Sequence, residues 1–361
     1  MSAPLSVRIS TQIRAAGPMS IAAYMAICLG DPEEGYYMSG DPFGKEGDFV
    51  TAPEVSQMFG ELIGLWSVTN WLAIDSPSPV NVVELGPGRG TLMADFLRAA
   101  SLRPDFINAA DVHMVEMSPA LKEMQQRTLD GAPIPPRWHE NFDDVPDGPL
   151  VLVANEFFDA LPIHQYEMRD GVWRERVVGF DDEGELAFGL GAGTLDAADV
   201  PPLRGPVGEG SVIETRPAGT AIMQQIAARI VAHGGLALII DYGHAESAPG
   251  NTLQAVGEHE YADPLEKPGE VDLTAHVDFG ALKRAAEAAG AAVHGPLVQG
   301  EFLLRLGLLE RAGSLGAKQE EEVQNKLRAE VERLAGSEQM GTLFKVMAVS
   351  RPGLALQPFG G

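Results

Sequence analysis

Glu156 and Asp159 lie three residues apart in the run Asn155-Glu156-Phe157-Phe158-Asp159-Ala160-Leu161-Pro162, with two aromatic rings between them. Two carboxylates beside aromatic walls can hold a guanidinium, a planar cation that keeps its charge and presents forked N–H donors. The same residue types also cap turns and helices, so Asn155 and Asp159 have a structural use as well. A second run, Glu84-Leu85-Gly86-Pro87-Gly88-Arg89-Gly90, has glycines that let backbone approach a ligand closely. Glu116 follows Gly90 by 26 residues, a spacing at which an acid can accept hydrogen bonds from both hydroxyls of a ribose.

These residues need a scaffold, and the flanking sequence predicts one. VNVVEL at 80–85 is a short apolar, β-branched run that reads as a strand, and TLMADFLRAA after the glycines reads as a helix. VHMVEM, the helical SPALKEMQQRTL, the strand VLVANEF at 150–157, a helix near 216–233 and the strand GGLALIIDYG continue the alternation. Such alternation predicts a parallel sheet, whose ligands bind beyond the carboxyl ends of its strands. Glu156 and Asp241 both fall at such ends.

Elsewhere the pattern changes. Ser20 precedes a short helix, IAAYMAICL; Pro53 opens a long helical stretch to Ala73; and the Gly-, Pro- and Asp-rich segment between them reads as an ordered loop. HQYEMRDGVWRERVVGF reads as a hairpin around Asp170 and Gly171. The roughly 30 residues between Tyr242 and Asp272 show little periodicity, as a lid or substrate loop would. TAHVDFGALKRAAEAAG reads as a capped helix with His276 at its start, residues 317–335 as a charged amphipathic helix, and TLFKVMAVS as a late strand. The expected organisation is an N-terminal helical segment over 1–78, a core over 79–162 and 211–361 with a lid near 242–273, and an inserted β-rich lobe over 163–210.

Composition narrows the chemistry. The 361 residues carry 51 acidic against 26 basic side chains, a net charge of −25 that repels phosphate backbones and anionic lipid. Nucleic acid is not expected as a partner on that ground; a basic protein substrate would be attracted, though general solubility accounts for the same charge and the charge alone does not decide between them. Cys28 is the only cysteine, and the histidines are scattered, so neither a disulfide nor a metal site is expected. No signal-peptide or membrane-spanning run is evident; a cytoplasmic location is expected, with the mitochondrial matrix a weaker alternative. Oligomeric state is not readable from the pattern.

The glycine run lacks the third-glycine spacing of dinucleotide binders, which disfavours a nicotinamide-dependent oxidoreductase. It looks like the first motif of class I methyltransferases, and Pro87 and Arg89 suit a zwitterionic methionine tail better than a pyrophosphate. Taken together, GYYMSGDPFGKEGDFVTAPEVSQMFGELIGLW, VVELGPGRGTLMADFLR, VANEFFDALP and DLTAHVDF resemble the MidA-like methyltransferases across most of the chain. That family includes the mitochondrial enzyme that assists respiratory complex I assembly by symmetrically dimethylating an arginine of a core subunit.

The resemblance implies a Rossmann-like α/β core with a mainly parallel seven-stranded sheet, an N-terminal helical segment and an inserted substrate lobe. It implies S-adenosyl-L-methionine as cofactor, held by Gly47, Asp48, Thr51, Glu84, Gly86, Gly88, Gly90, Glu116 and Asn155. Glu156 would orient and polarise the acceptor nitrogen with help from Asp159, while Phe157, Asp241 and His276 would line the substrate side. The expected activity is arginine methylation on a complex I subunit, assisting the assembly of that complex. Methylation of another protein or a small molecule, or non-catalytic assembly, are the competing readings. Gly257 and Glu258 stand where the family is expected to carry basic residues, which touches substrate detail in the lid.

Overall fold

A computed structural model describes residues 3–38, 51–257 and 260–360. The chain divides into two compact units, each assembled from three separate stretches. One takes Met1–Phe49, Asp159–Ala221 and His244–Ala281; the other takes Val50–Phe158, Ile222–Gly243 and Leu282–Gly361.

The second unit holds the large sheet. In chain order its strands are β1 (Val80–Leu85), β2 (Ala110–Val115), β3 (Arg137–His139), β4 (Leu150–Asn155), β5 (Gly235–His244), β6 (Ala292–Val298) and β7 (Phe344–Ser350). Their spatial order is β6-β7-β5-β4-β1-β2-β3. The pairs from β5 through β3 are parallel, and β7 runs antiparallel to both β5 and β6. The seven strands of this path give the mainly parallel Rossmann-like arrangement expected, and an eighth, off the path, brings the sheet to eight strands rather than seven. β1 and β4 are buried at every position, as strands covered on both faces must be.

Helices α1 (Gln57–Ala73), α2 (Thr91–Ala100) and α3 (Pro119–Thr128) belong to the same unit, and α1 and α2 share the sheet's apolar core through Phe59, Ile63, Trp66, Met93, Phe96 and Val82. The long helical stretch expected from Pro53 is broken. Ala52–Val55 forms one turn, Ser56 takes extended backbone (φ −160°, ψ 138°), and its Oγ accepts the Met58 N–H at 3.3 Å to start α1 afresh. A serine that can cap a new helix competes with continuing the old one.

The first unit packs around Ile9, Ile21, Tyr24, Cys28, Val178 and Leu273. Ser20 caps the Ile21–Gly30 helix, its side chain accepting from Ala23 N–H. The hairpin around Asp170 and Gly171 is present as His164–Arg169 paired with Val172–Phe180, extended by Leu186–Thr194 and Val212–Thr215. The aperiodic segment after Tyr242 contains a three-stranded sheet of Gln254–Gly257, Glu260–Ala262 and Asp272–Thr274. Strands of three or four residues are too short to show a period. The helix expected from Thr274 begins at Phe279, where the Asp278 carboxylate accepts the Ala281 N–H at 2.9 Å. His276 therefore lies before the helix, between two short strands.

Candidate functional site

The glycine turn is built by its backbone. Gly86, Gly88 and Gly90 take φ of +60°, +52° and +83°, the left-handed region that side chains resist. Gly86 also has a steric reason to be glycine: a Cβ there would stand 2.9 Å from Phe157 Cδ2. The turn leads from β1 into α2, and Thr91 at the helix start donates its hydroxyl to Glu54 Oε1 at 2.5 Å.

The acids around the turn are deeply buried. Glu116, beyond the end of β2, accepts the Ser118 N–H at 2.8 Å on one carboxylate oxygen and the Gln125 side-chain N–H at 3.0 Å on the other. Burial holds its carboxyl above the usual carboxylate range, and the Ser118 and Gln125 bonds oppose that rise. Glu84, near the end of β1, is held well above that range by burial and then by Glu116. Glu84 Oε2 and Asn155 Oδ1 are buried acceptors with no hydrogen-bond partner among the described residues. β1 and β4 pair in parallel, so these two atoms belong to neighbouring strand ends. Buried acceptors of this kind call for a donor from outside the chain. A ligand carrying an ammonium group and ribose hydroxyls meets that need, so these residues fit the expected cofactor.

Glu156 follows β4 with φ of +49°, unusual for a residue with a side chain. The conformation costs about 1–2 kcal/mol and is held by bonds on both sides of it. Glu156 N–H donates to Ile240 O at 2.9 Å, and Phe158 N–H donates to Asp241 Oδ2 at 3.0 Å. Glu156 Oε1 accepts from Asn155 Nδ2 at 3.1 Å and from Ala52 N–H at 3.2 Å, one residue beyond Thr51. Asp241 is fully buried, and its other oxygen accepts the Tyr242 N–H at 2.9 Å. The residue expected to line the acceptor side thus braces the turn that carries Glu156 and Phe157.

Asp159 and His276 belong to the other unit, where Arg216 brings their backbones together. Its guanidinium donates to the carbonyls of Leu161 at 3.0 Å, Asp159 at 3.2 Å, Ala275 at 2.8 Å and His276 at 3.3 Å. Ala275 N–H returns a bond to Asp159 O at 3.1 Å. Gly47 and Asp48, expected near the cofactor, lie outside the described residues.

Arg216, Ala52, Gln125 and Trp138 are the participants that pattern reading missed. An arginine directly before Pro217 was a weak hint, since the proline marks a helix start and leaves the preceding side chain outside it. Gln125 and Trp138 gave no signal in sequence. Among the described residues no group of three or more His, Cys, Asp or Glu side chains could hold a metal ion, and no helix is long and apolar enough to cross a membrane.

Comparison with known proteins agrees with this geometry. A family model described as S-adenosyl-L-methionine-dependent methyltransferases matches residues 62–297. The mitochondrial protein arginine methyltransferase NDUFAF7 homolog of Drosophila melanogaster is 39% identical, with 96% of this chain and 84% of that one covered. Human mitochondrial protein arginine methyltransferase NDUFAF7 is 34% identical, with coverage of 96% and 83%. Among solved structures, a protein from Burkholderia thailandensis bound to S-adenosyl-homocysteine superposes with a TM-score of 0.84 at 29% identity, covering 96% of this chain and 92% of that one. The expected cytoplasmic location is corrected by these relatives, since the fly and human proteins are both named as mitochondrial.

Proposed function

This chain belongs to the S-adenosyl-L-methionine-dependent methyltransferase family, and from that premise we propose that its acceptor is an arginine of a protein, dimethylated on a subunit of respiratory complex I. It is a methyltransferase that uses S-adenosyl-L-methionine, in place of the dinucleotide oxidoreductase that a glycine turn alone would allow. The arginine acceptor is supported by the relatives' names and by one observation above all: Glu156 is held in a strained backbone conformation at the end of β4. Strain of this kind persists where the surroundings over-determine it, and it collects at functional turns.

When bound, the cofactor supplies an electrophilic methyl group on a sulfonium. Gly86, Gly88 and Gly90 give the backbone approach it needs, Glu116 takes the ribose hydroxyls, and Glu84 and Asn155 offer acceptors to its ammonium group. Glu156 pairs with the guanidinium and fixes which nitrogen faces the methyl. Its negative charge draws the cation's charge toward the nitrogens it binds, leaving lone-pair density on the attacking one. That nitrogen gains the methyl and loses a proton, so the arginine stays a cation. Thr51 completes the cofactor side. Phe157 supplies an apolar wall.

The test is transfer of radiolabelled methyl from S-adenosyl-L-methionine to purified complex I subunits, followed by acid hydrolysis and mass analysis of the amino acids. Label in dimethylarginine is the expected result. Label in another residue or in a small molecule overturns the arginine acceptor, and tight subunit binding with no label in any acceptor favours a non-catalytic assembly protein.

A further inference from the structure

The side chain of Gln125 makes three hydrogen bonds, and their chemistry admits one orientation of its amide. Trp138 Nε1 can only donate, and it stands 2.8 Å from Gln125 Oε1. Gly88 O and Glu116 Oε2 can only accept, and they stand 2.8 and 3.0 Å from Gln125 Nε2. Turning the amide over would place two acceptors against an oxygen and two donors against each other. The bond pattern therefore assigns oxygen and nitrogen without ambiguity.

Those partners come from different places. Gly88 is the centre of the glycine turn, Glu116 follows β2, and Trp138 lies in β3. Gln125 itself is completely buried on α3, and that helix lies close against the turn: a Cβ on Gly90 would reach Gln125 Cα at 3.4 Å. Both amide hydrogens and the carbonyl are used, so the side chain has no spare capacity to relax. Glu116 has one oxygen tied to Ser118 N–H and the other tied to Gln125, with a further backbone bond from Met117.

We propose that Gln125, oriented by the indole of Trp138, is a positioning residue that locks the glycine turn and the Glu116 carboxylate into one rigid ribose-binding unit. The inference rests on the reading of Glu116 as the ribose acid. Gln125 does not touch the cofactor; it fixes the distance between the turn and the carboxylate that does. Without it, Glu116 keeps its backbone anchors from Met117 and Ser118 but loses its tie to the glycine turn, and ribose selectivity falls with affinity.

Calorimetric titration of the whole protein with S-adenosyl-homocysteine and with its 2′-deoxy analogue separates the possibilities. Gln125→Met, of similar length and without hydrogen-bonding capacity, is expected to weaken S-adenosyl-homocysteine binding roughly tenfold and to lose most of the preference for the 2′-hydroxyl. Trp138→Phe should move both readings the same way by a smaller factor, and the double variant should fall short of the product of the two. A tenfold loss with the 2′-hydroxyl preference intact, or affinity within twofold of wild type, overturns the proposal. If Gln125→Met fails to fold, Trp138→Phe decides by the same criteria. Glu116→Gln keeps the two failures apart. If it retains the 2′-hydroxyl preference, the ribose reading is itself wrong; if it loses that preference while Gln125→Met keeps it, only the positioning role fails.

Discussion

Replacing Glu156 by glutamine removes a charge and little else, so its consequences can be worked through bond by bond. Glu156 Oε1 accepts from Asn155 Nδ2 and Ala52 N–H, and a glutamine carbonyl can accept both. Each bond changes from charge-assisted to neutral, which together costs about 1 kcal/mol of stability. The left-handed backbone at this position is unaffected, because glutamine bears it no better and no worse. Melting should therefore drop by only a few degrees. The acceptor side loses much more. A charge-assisted contact to a guanidinium is worth about 1.5–3 kcal/mol, and the new amide would turn N–H donors toward a group that has only donors. At 1.36 kcal/mol per decade, kcat/KM for an arginine acceptor should fall roughly 10- to 150-fold. Initial rates of methyl transfer, measured beside S-adenosyl-homocysteine affinity, provide the assay. Full turnover by Glu156→Gln with cofactor affinity unchanged would refute the assigned role, whatever the acceptor.

Three other perturbations follow from the geometry. Gly86→Ala forces a side chain into the left-handed region and against Phe157 Cδ2, so it should cost about 2 kcal/mol and weaken cofactor binding, read by thermal melting and titration; a neutral outcome would show that the ring gives way freely. Glu84→Gln should leave stability unchanged near pH 5 and raise it relative to wild type as pH climbs. A buried acid with a raised folded pKa loses stability as pH rises above its unfolded value, so a difference in denaturation midpoint that does not grow between pH 5 and 8 would refute the burial account. Glu61 is buried with Arg98 and Arg311 donating to it at 3.0 and 2.7 Å; burial pushes its carboxyl up, the two arginines outweigh that, and the result lies below the usual range. Its contribution is present above the unfolded value and lost as pH falls through the folded one. Glu61→Gln should thus cost about 2 kcal/mol near neutrality, less than a fully buried pair because both arginines are partly exposed, and the deficit in chemical denaturation should shrink below pH 4.5.

The parts of the molecule that sequence reveals are those that local forces decide. Val80–Leu85 and Leu150–Asn155 are strands because unbroken apolar runs with β-branched residues have to be covered on both faces, and the glycines between Gly86 and Gly90 mark a turn whoever their neighbours are. Glu116 could be placed because spacing along the alternation puts it at a strand end. Other features are settled by distant partners. The break at Ser56 depends on whether a cap outcompetes one more helical bond. The short strands between Gln254 and Thr274 exist only because they pair with one another. Asp241 also accepts the backbone N–H groups of Phe158 and Tyr242, a use invisible until the chain has folded back on itself. Gln125 is the extreme case, an ordinary helical residue whose meaning comes from three other places in the chain.

The order of strands has a consequence for biosynthesis. Phe344–Ser350, the last of this sheet's strands in chain order among the described residues, lies between Gly235–His244 and Ala292–Val298 and bonds to both. A nascent chain still tethered to the ribosome at residue 340 presents two unzipped sheet borders, each rich in apolar residues. The sheet cannot zip shut until the chain has emerged past Ser350. A premature stop before Phe344 would leave Ala292–Val298 with no partner in the sheet, a species for quality control to bind and destroy.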